Sequence, residues 1–166
     1  MANTREKIEA EFENIERVLA DLPRPDSLKK LSSLEMAGVA ALIHNFYNGI
    51  ENVFKQLIIS KGLSIPQGPS WHIDLIEICV ANQIISRTTS DMLKEYLSFR
   101  HFFSHAYSFD VDEERIAPLL FASCCFGRCQ VKLFGFGHFQ SLFGRNATGL
   151  AIAVYNNVLA KQGFSP

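Results

Sequence analysis

Between Thr4 and Leu22 the apolar residues Ile8, Phe12, Ile15, Val18, Leu19 and Leu22 recur every three or four positions, the stripe of an amphipathic helix that buries one face. Pro23 and Pro25 end it, and Asp26 or Ser27 is placed to cap a second helix. That second pattern is long: Leu28, Leu31, Leu34, Val39, Leu42, Ile43, Phe46, Ile50, Val53, Phe54, Leu57 and Ile58 keep helical spacing until Lys61 and Gly62 supply a basic last turn and a glycine stop. A helix of about 35 residues would span roughly 50 Å, enough to be the spine of a bundle. Gly38 and Gly49 lie inside it, which predicts a local bend or a closely packed neighbour.

After a loop carrying Pro66, Gly68 and Pro69, Ser70 opens a third helix with Trp71, Leu75, Ile76, Cys79 and Val80. The turn Arg87-Thr88-Thr89-Ser90 offers hydroxyls to cap a fourth, which carries Met92, Leu93, Tyr96, Leu97, Phe99, Phe102 and Phe103 and is predicted to end near Ala106. Ser108-Phe109-Asp110 breaks it, and Asp112 caps a fifth helix starting at Glu113. No alternating apolar–polar run of useful length precedes residue 118. The predicted fold of residues 1–118 is therefore all-α, an antiparallel helical bundle built round one long helix.

The 166 residues, 48% apolar and 20% charged, fit one ordinary globular domain. A net charge of −1 excludes a broad non-specific grip on polyanions, so any nucleic acid is met at a local site. That charge is unevenly spread: all 17 acidic residues lie at or before Glu114, leaving −6 up to that point and +5 from Arg115 onward. Six of the ten Gly, seven of the fourteen Phe and three of the four Cys also fall in the last stretch. We therefore divide the chain into a helical domain, 1–118, and an atypical Phe/Gly/Cys-rich segment, 119–166. The latter is expected to be poorly ordered, and its abrupt composition suggests a shifted reading frame or a recombined end. Arg128, Lys132 and Arg145 interrupt any membrane-length stretch, so no membrane association is expected. Met1 to Glu13 contain no apolar signal core, which points to the cytoplasm. Cys79, Cys124, Cys125 and Cys129 are accordingly read as reduced thiols, and their spacing lacks the paired units of a zinc site.

The densest chemistry lies in Arg100-His101-Phe102-Phe103-Ser104-His105-Ala106-Tyr107. A guanidinium forks onto phosphate, an imidazole exchanges protons near neutral pH and a phenol offers a modifiable oxygen, a set suited to phosphodiester chemistry. On an ideal helix, however, Arg100 and His105 point about 140° apart with a rise of about 7.5 Å. Either the helix uncoils near His105 or a second copy of the chain completes the site. Two other readings stand beside this one: the cations merely complement a helix end, or His101 and His105, sharing a face at i and i+4, bind a metal. His44, Asn45, Tyr47, Asn48 and Glu51 form a polar stripe on the long helix, Glu51 reading equally well as a surface or helix-pairing residue. His72 reads as a first-turn surface histidine.

The spacing Arg100-x4-His105-x-Tyr107 resembles the signature of HEPN-domain proteins, specifically the HepT-like ribonuclease toxins paired with a minimal nucleotidyltransferase antitoxin. The segments Leu42 to Asn52, Pro69 to His72 and Tyr96 to Tyr107 resemble that family's long helix, third-helix entrance and catalytic helix, and the likeness covers roughly residues 3–119. The resemblance implies a HEPN-type bundle that forms a homodimer with two motifs facing one cleft. It further implies metal-independent RNA cleavage without a cofactor, with Arg100 and His105 catalytic and His101 in the polar slot that follows the arginine; beside it, Ser104, Asn45, Asn48 and Glu51 are read as supporting or lining the cleft. Tyr107 resembles the tyrosine that the partner nucleotidyltransferase adenylylates to silence the toxin. The alternatives are a non-catalytic HEPN partner of that enzyme, or a degenerate, inactive toxin. After Leu119 the likeness stops.

Overall fold

The computed structural model describes residues 4–105, 111–120 and 123, and all their regular structure is helical. The predicted all-α class is what the chain adopts. Helix α1 is Thr4–Asp21, followed by a 3-10 turn, Pro25–Lys30. Then come α2, Ser33–Ser60; α3, Trp71–Ala81; α4, Arg87–His105; and a fifth helix, α5, over residues 113–120.

The first, third and fifth helices fall close to their expected places, but the fourth starts earlier than expected and the second later. Neither Asp26 nor Ser27 caps it. Ser32 does, in a capping box: its hydroxyl accepts from the Glu35 N–H at 3.3 Å while its own N–H donates to Glu35 Oε2 at 2.7 Å. Leu31 and Ser32 are extended, with ψ of 140° and 163°, so α2 has 28 residues rather than about 35. The apolar spacing runs through this break because Leu28 is buried from the 3-10 turn as it would be from a helix. At the other end the expected glycine stop holds. Gly62 takes a left-handed φ of +73°, and the N–H groups of Gly62 and Leu63 donate to Ile59 and Ile58, closing the last turn.

The fourth helix errs the other way and begins before its predicted caps. Ser86 accepts from the Thr89 N–H at 3.1 Å, and the predicted capping turn, residues 87–90, is already helical. Asp112 caps α5 as expected, accepting from the Arg115 N–H at 3.0 Å. Each of these caps contributes about 1 kcal/mol.

Residue pairs fix the directions of packing. Asn52 donates to Glu11 while Gly49 faces Ile15, so α1 and α2 are antiparallel. Glu77 meets Lys94 and His72 meets Arg100, which sets α3 against α4. Asn48 meets Arg100 and His44 meets Phe103, so α2 also runs against α4. Gly49 is where the expected close neighbour lies: a Cβ there would come within 2.7 Å of Ile15 Cγ1, so only glycine permits this approach. Gly38 has open space instead.

The core between the helices is continuous and aromatic-rich, with Phe46, Tyr47, Phe54 and Tyr96 each at most 1% exposed. Tyr96 donates to the Leu119 carbonyl at 2.7 Å, which satisfies its hydroxyl and ties α4 to α5. One face of α2 is thus held by the apolar core while its polar residues 44, 47, 48 and 51 turn towards α3 and α4.

Candidate functional site

Glu51 is the anomaly from which the site is built, since a carboxylate 3% exposed in the middle of an apolar helix needs a partner. The partner is His72, in the first turn of α3, whose Nδ1 lies 2.5 Å from Glu51 Oε1. The other ring nitrogen, Nε2, is 3.0 Å from Arg100 NH1 on α4. Arg100 Nε donates to Asn48 Oδ1 at 3.2 Å, back on α2. Three helices therefore contribute to one chain of polar contacts: Glu51 to His72 to Arg100 to Asn48.

The chemistry of the donors assigns the imidazole proton. A guanidinium has no acceptor, so His72 Nε2 must accept from Arg100 and the ring hydrogen must sit on Nδ1, donating to Glu51. His72 is thus neutral between a cation and an anion. Burial favours that neutral form and holds its pKa below the ordinary histidine value; Arg100 and His101 push the same way, while Glu51 pulls against them. The Trp71 ring packs against His72 with centroids 3.5 Å apart, and His101 presents an edge to it at 6.0 Å.

The surroundings are equally polarised. Burial, then the charge of Glu51, drives the Tyr47 hydroxyl far above its usual pKa. That hydroxyl is buried without a hydrogen bond of normal geometry among the described residues, so it feels Glu51 as a nearby charge. His44 is likewise kept below the ordinary value by burial and by Arg100, and its Nδ1 has no hydrogen-bond partner among the described residues.

Of the predicted site residues, Asn48 and Glu51 join Arg100. His101 is exposed and reaches the cluster only through its edge contact with His72. Ser104 does not join: its hydroxyl donates back to the Arg100 carbonyl at 2.8 Å, within the helix. Asn45 is exposed and lies on the other side of α2, in an open groove of about 350 Å³ shared with Asn14, Arg17 and Asn52. His105 is exposed and has no hydrogen-bond partner among the described residues. Because α4 is helical through His105, uncoiling does not bring it to Arg100, and that expected remedy is not realised. Tyr107 and the Ser108-Phe109-Asp110 break lie outside the described residues, as do Cys124, Cys125 and Cys129 and the glycine-rich stretch after them.

His72 is the residue that sequence reading missed. It was expected at the surface, yet it is 8% exposed. The signal was available: 72, 75, 76 and 79 follow i, i+3, i+4, i+7, so His72 begins the same stripe as Leu75, Ile76 and Cys79.

Among the described residues no group of three or more His, Cys, Asp or Glu is placed to hold a metal ion, and no helix is long and apolar enough to cross a membrane. A family model described as HepT-like protein matches residues 38–124, slightly more than half the chain, covering most of α2 and all of α3, α4 and α5. No curated protein and no solved structure matches.

Proposed function

The chain belongs to the HepT-like family, and on that premise we propose that it is the toxin of a toxin–antitoxin pair, a homodimeric, metal-independent endoribonuclease. The observation that carries the reading is the environment of Arg100: a cation half-buried at the junction of three helices, its Nε and NH1 fixed from within the chain, five residues before an exposed imidazole. Such a guanidinium is preorganised to receive a phosphodiester.

RNA brings its own nucleophile. The ribose 2′-OH attacks the adjacent phosphorus, forming the O2′–P bond as the P–O5′ bond breaks. His105 takes the 2′-OH proton or delivers one to the departing 5′ oxygen, and Arg100 balances the charge that grows on the phosphoryl oxygens. The second copy of the chain supplies the other histidine and arginine across the cleft, which resolves the angular separation of the two groups on α4. DNA lacks the attacking hydroxyl and is not cut. The partner is a nucleotidyltransferase-type antitoxin that adenylylates Tyr107. The added bulk and negative charge oppose a polyanion two residues from His105.

The test is end-group analysis of labelled single-stranded RNA incubated with the purified full chain. The expected products carry a 2′,3′-cyclic phosphate and a 5′-OH, form equally with a chelator present, and disappear when the partner enzyme and ATP are added to the wild type but not to Tyr107→Phe. Products with 3′-OH ends, or activity abolished by chelation, reject the mechanism.

A further inference from the structure

The cleavage chemistry gives His72 no role, yet within the polar chain it touches both charged members, Glu51 and Arg100. It is 8% exposed, so solvent does not supply alternative partners. Among the described residues, the groups that face it come from three helices. From α2 comes Glu51, on Nδ1; from α4 come Arg100, on Nε2, and the edge of His101; on its own helix the Trp71 ring covers it. Trp71 in turn carries the Lys55 ammonium 4.5 Å above its ring. His44 and Tyr47 face Arg100 and Glu51 rather than the imidazole itself.

We propose that His72 is a positioning residue: held by Glu51 with its hydrogen on Nδ1, it presents the Nε2 lone pair that aims the Arg100 guanidinium, and adding a proton to Nε2 releases that guanidinium. The argument is one of donors and acceptors. With Nε2 protonated, an N–H would confront the Arg100 N–H across 3.0 Å, two donors and two positive charges with no acceptor between them. Among the described residues Asn48 alone would then hold Arg100, through Nε at 3.2 Å, and the fork would be free to swing about that single bond. Acid would thereby disarm the site without unfolding the protein. The depressed pKa that burial gives His72 places this release on the acid side of neutrality.

This inference rests on the ribonuclease reading for its catalytic consequence, but not for its structural one, and the experiment separates the two. The substitution His72→Gln is the informative variant, because a glutamine amide can donate to Glu51 through its NH2 and accept from Arg100 through its oxygen, yet does not titrate. In intact wild-type protein, nitrogen NMR of labelled histidine is expected to find His72 protonated on Nδ1 at pH 7.5. The Arg100 Nε–H resonance, assigned by its absence in Arg100→Lys, is expected to shift as His72 titrates and to stay still over the same range in His72→Gln. With RNA, kcat at pH 7.5 is expected to fall about tenfold in His72→Ala and about twofold or less in His72→Gln. The ratio of His72→Gln to wild-type activity should climb as pH falls. A hydrogen on Nε2 at pH 7.5, or an Arg100 resonance indifferent to the titration of His72, overturns the positioning role even in a protein that cuts RNA. A protein that shows both NMR signatures and cuts nothing keeps the positioning role and loses the ribonuclease reading.

Discussion

Arg100 and His105 stand five residues apart on α4 and in opposite company. Arg100 is half-buried, with α2 holding its Nε and α3 holding one terminal nitrogen. His105 is exposed at the last described residue of the helix, with neither a hydrogen bond nor a ring contact among the described residues. The protomer thus spends three helices and a buried carboxylate on orienting the cation and spends nothing comparable on the imidazole. The difference indicates which half of the pair is preorganised within one chain. It also shows where an outside group, the substrate or a second copy, has to supply the missing constraint.

The largest effects test that division directly. Arg100→Ala and His105→Ala are each expected to lower RNA cleavage by about 10² to 10³, the usual weight of a charge-stabilising group or a general acid–base. If two chains share the cleft with Arg100 of one serving His105 of the other, co-expressing the two dead variants restores an intact site in each mixed dimer. Activity should then return to about a quarter of the wild-type level under random pairing. The measurement is turnover of labelled RNA by the co-purified mixture beside each variant alone. No recovery, with mixed dimers demonstrated by mass, places both groups of one site on one chain and breaks the proposed contrast.

Stability reads the same contrast without any RNA. Arg100→Ala leaves the His72 lone pair and the Asn48 carbonyl without their donor, a loss expected to cost about 1–3 kcal/mol in denaturant unfolding. His105→Ala removes an exposed side chain and is expected to fall within about 0.5 kcal/mol of wild type. Equal costs for the two would mean that the polar chain around Arg100 contributes no more to the fold than a surface residue does.

Much of this was legible in the sequence, for identifiable reasons. Helical periodicity located the bundle, because an amphipathic stripe is a direct record of one buried face, as in α1 with Ile8, Ile15 and Leu19. It failed where two kinds of helix bury the same side: Leu28 extended the apparent α2 backwards through a 3-10 turn, and the true boundary lay in the Ser32-x-x-Glu35 capping box. The motif containing Arg100 was visible as a local cluster, and Asn48 and Glu51 as a polar stripe. What joins them was not, since the contacts span 28 and 52 positions and depend on how α3 docks. Asn45 and Ser104 went astray for the complementary reason. Adjacency in sequence placed them near the motif, while the helix turned Asn45 towards α1 and the i−4 carbonyl of Arg100 captured the Ser104 hydroxyl.

The smallest expected effect lies in the pH dependence of stability, and its sign follows from two histidines, the buried His72 and the partly buried His44. Burial depresses the pKa of both His72 and His44 in the folded state, whereas in the unfolded chain each returns to about 6.5. As pH falls through that value the unfolded state takes up protons first, so stability that is fully present above it is lost towards the lower folded-state values. Unfolding free energy measured at pH 7.5 and 5.5 should therefore decrease, by no more than about 1.4 kcal/mol per histidine over the one pH unit below 6.5. Glu35 and Glu77, whose carboxyls are lowered by hydrogen bonds from Ser32 and from Lys94 and Arg87, enter only at still lower pH. Glu16, raised by burial, works in the opposite direction. His72→Gln removes one of the two histidine contributions while keeping the contacts to Arg100 and Glu51, so its pH slope should be shallower than that of wild type. An identical slope in wild type and His72→Gln would mean that the imidazole between Glu51 and Arg100 titrates as though it stood in water, and the polar chain that orients Arg100 would lose its electrostatic basis.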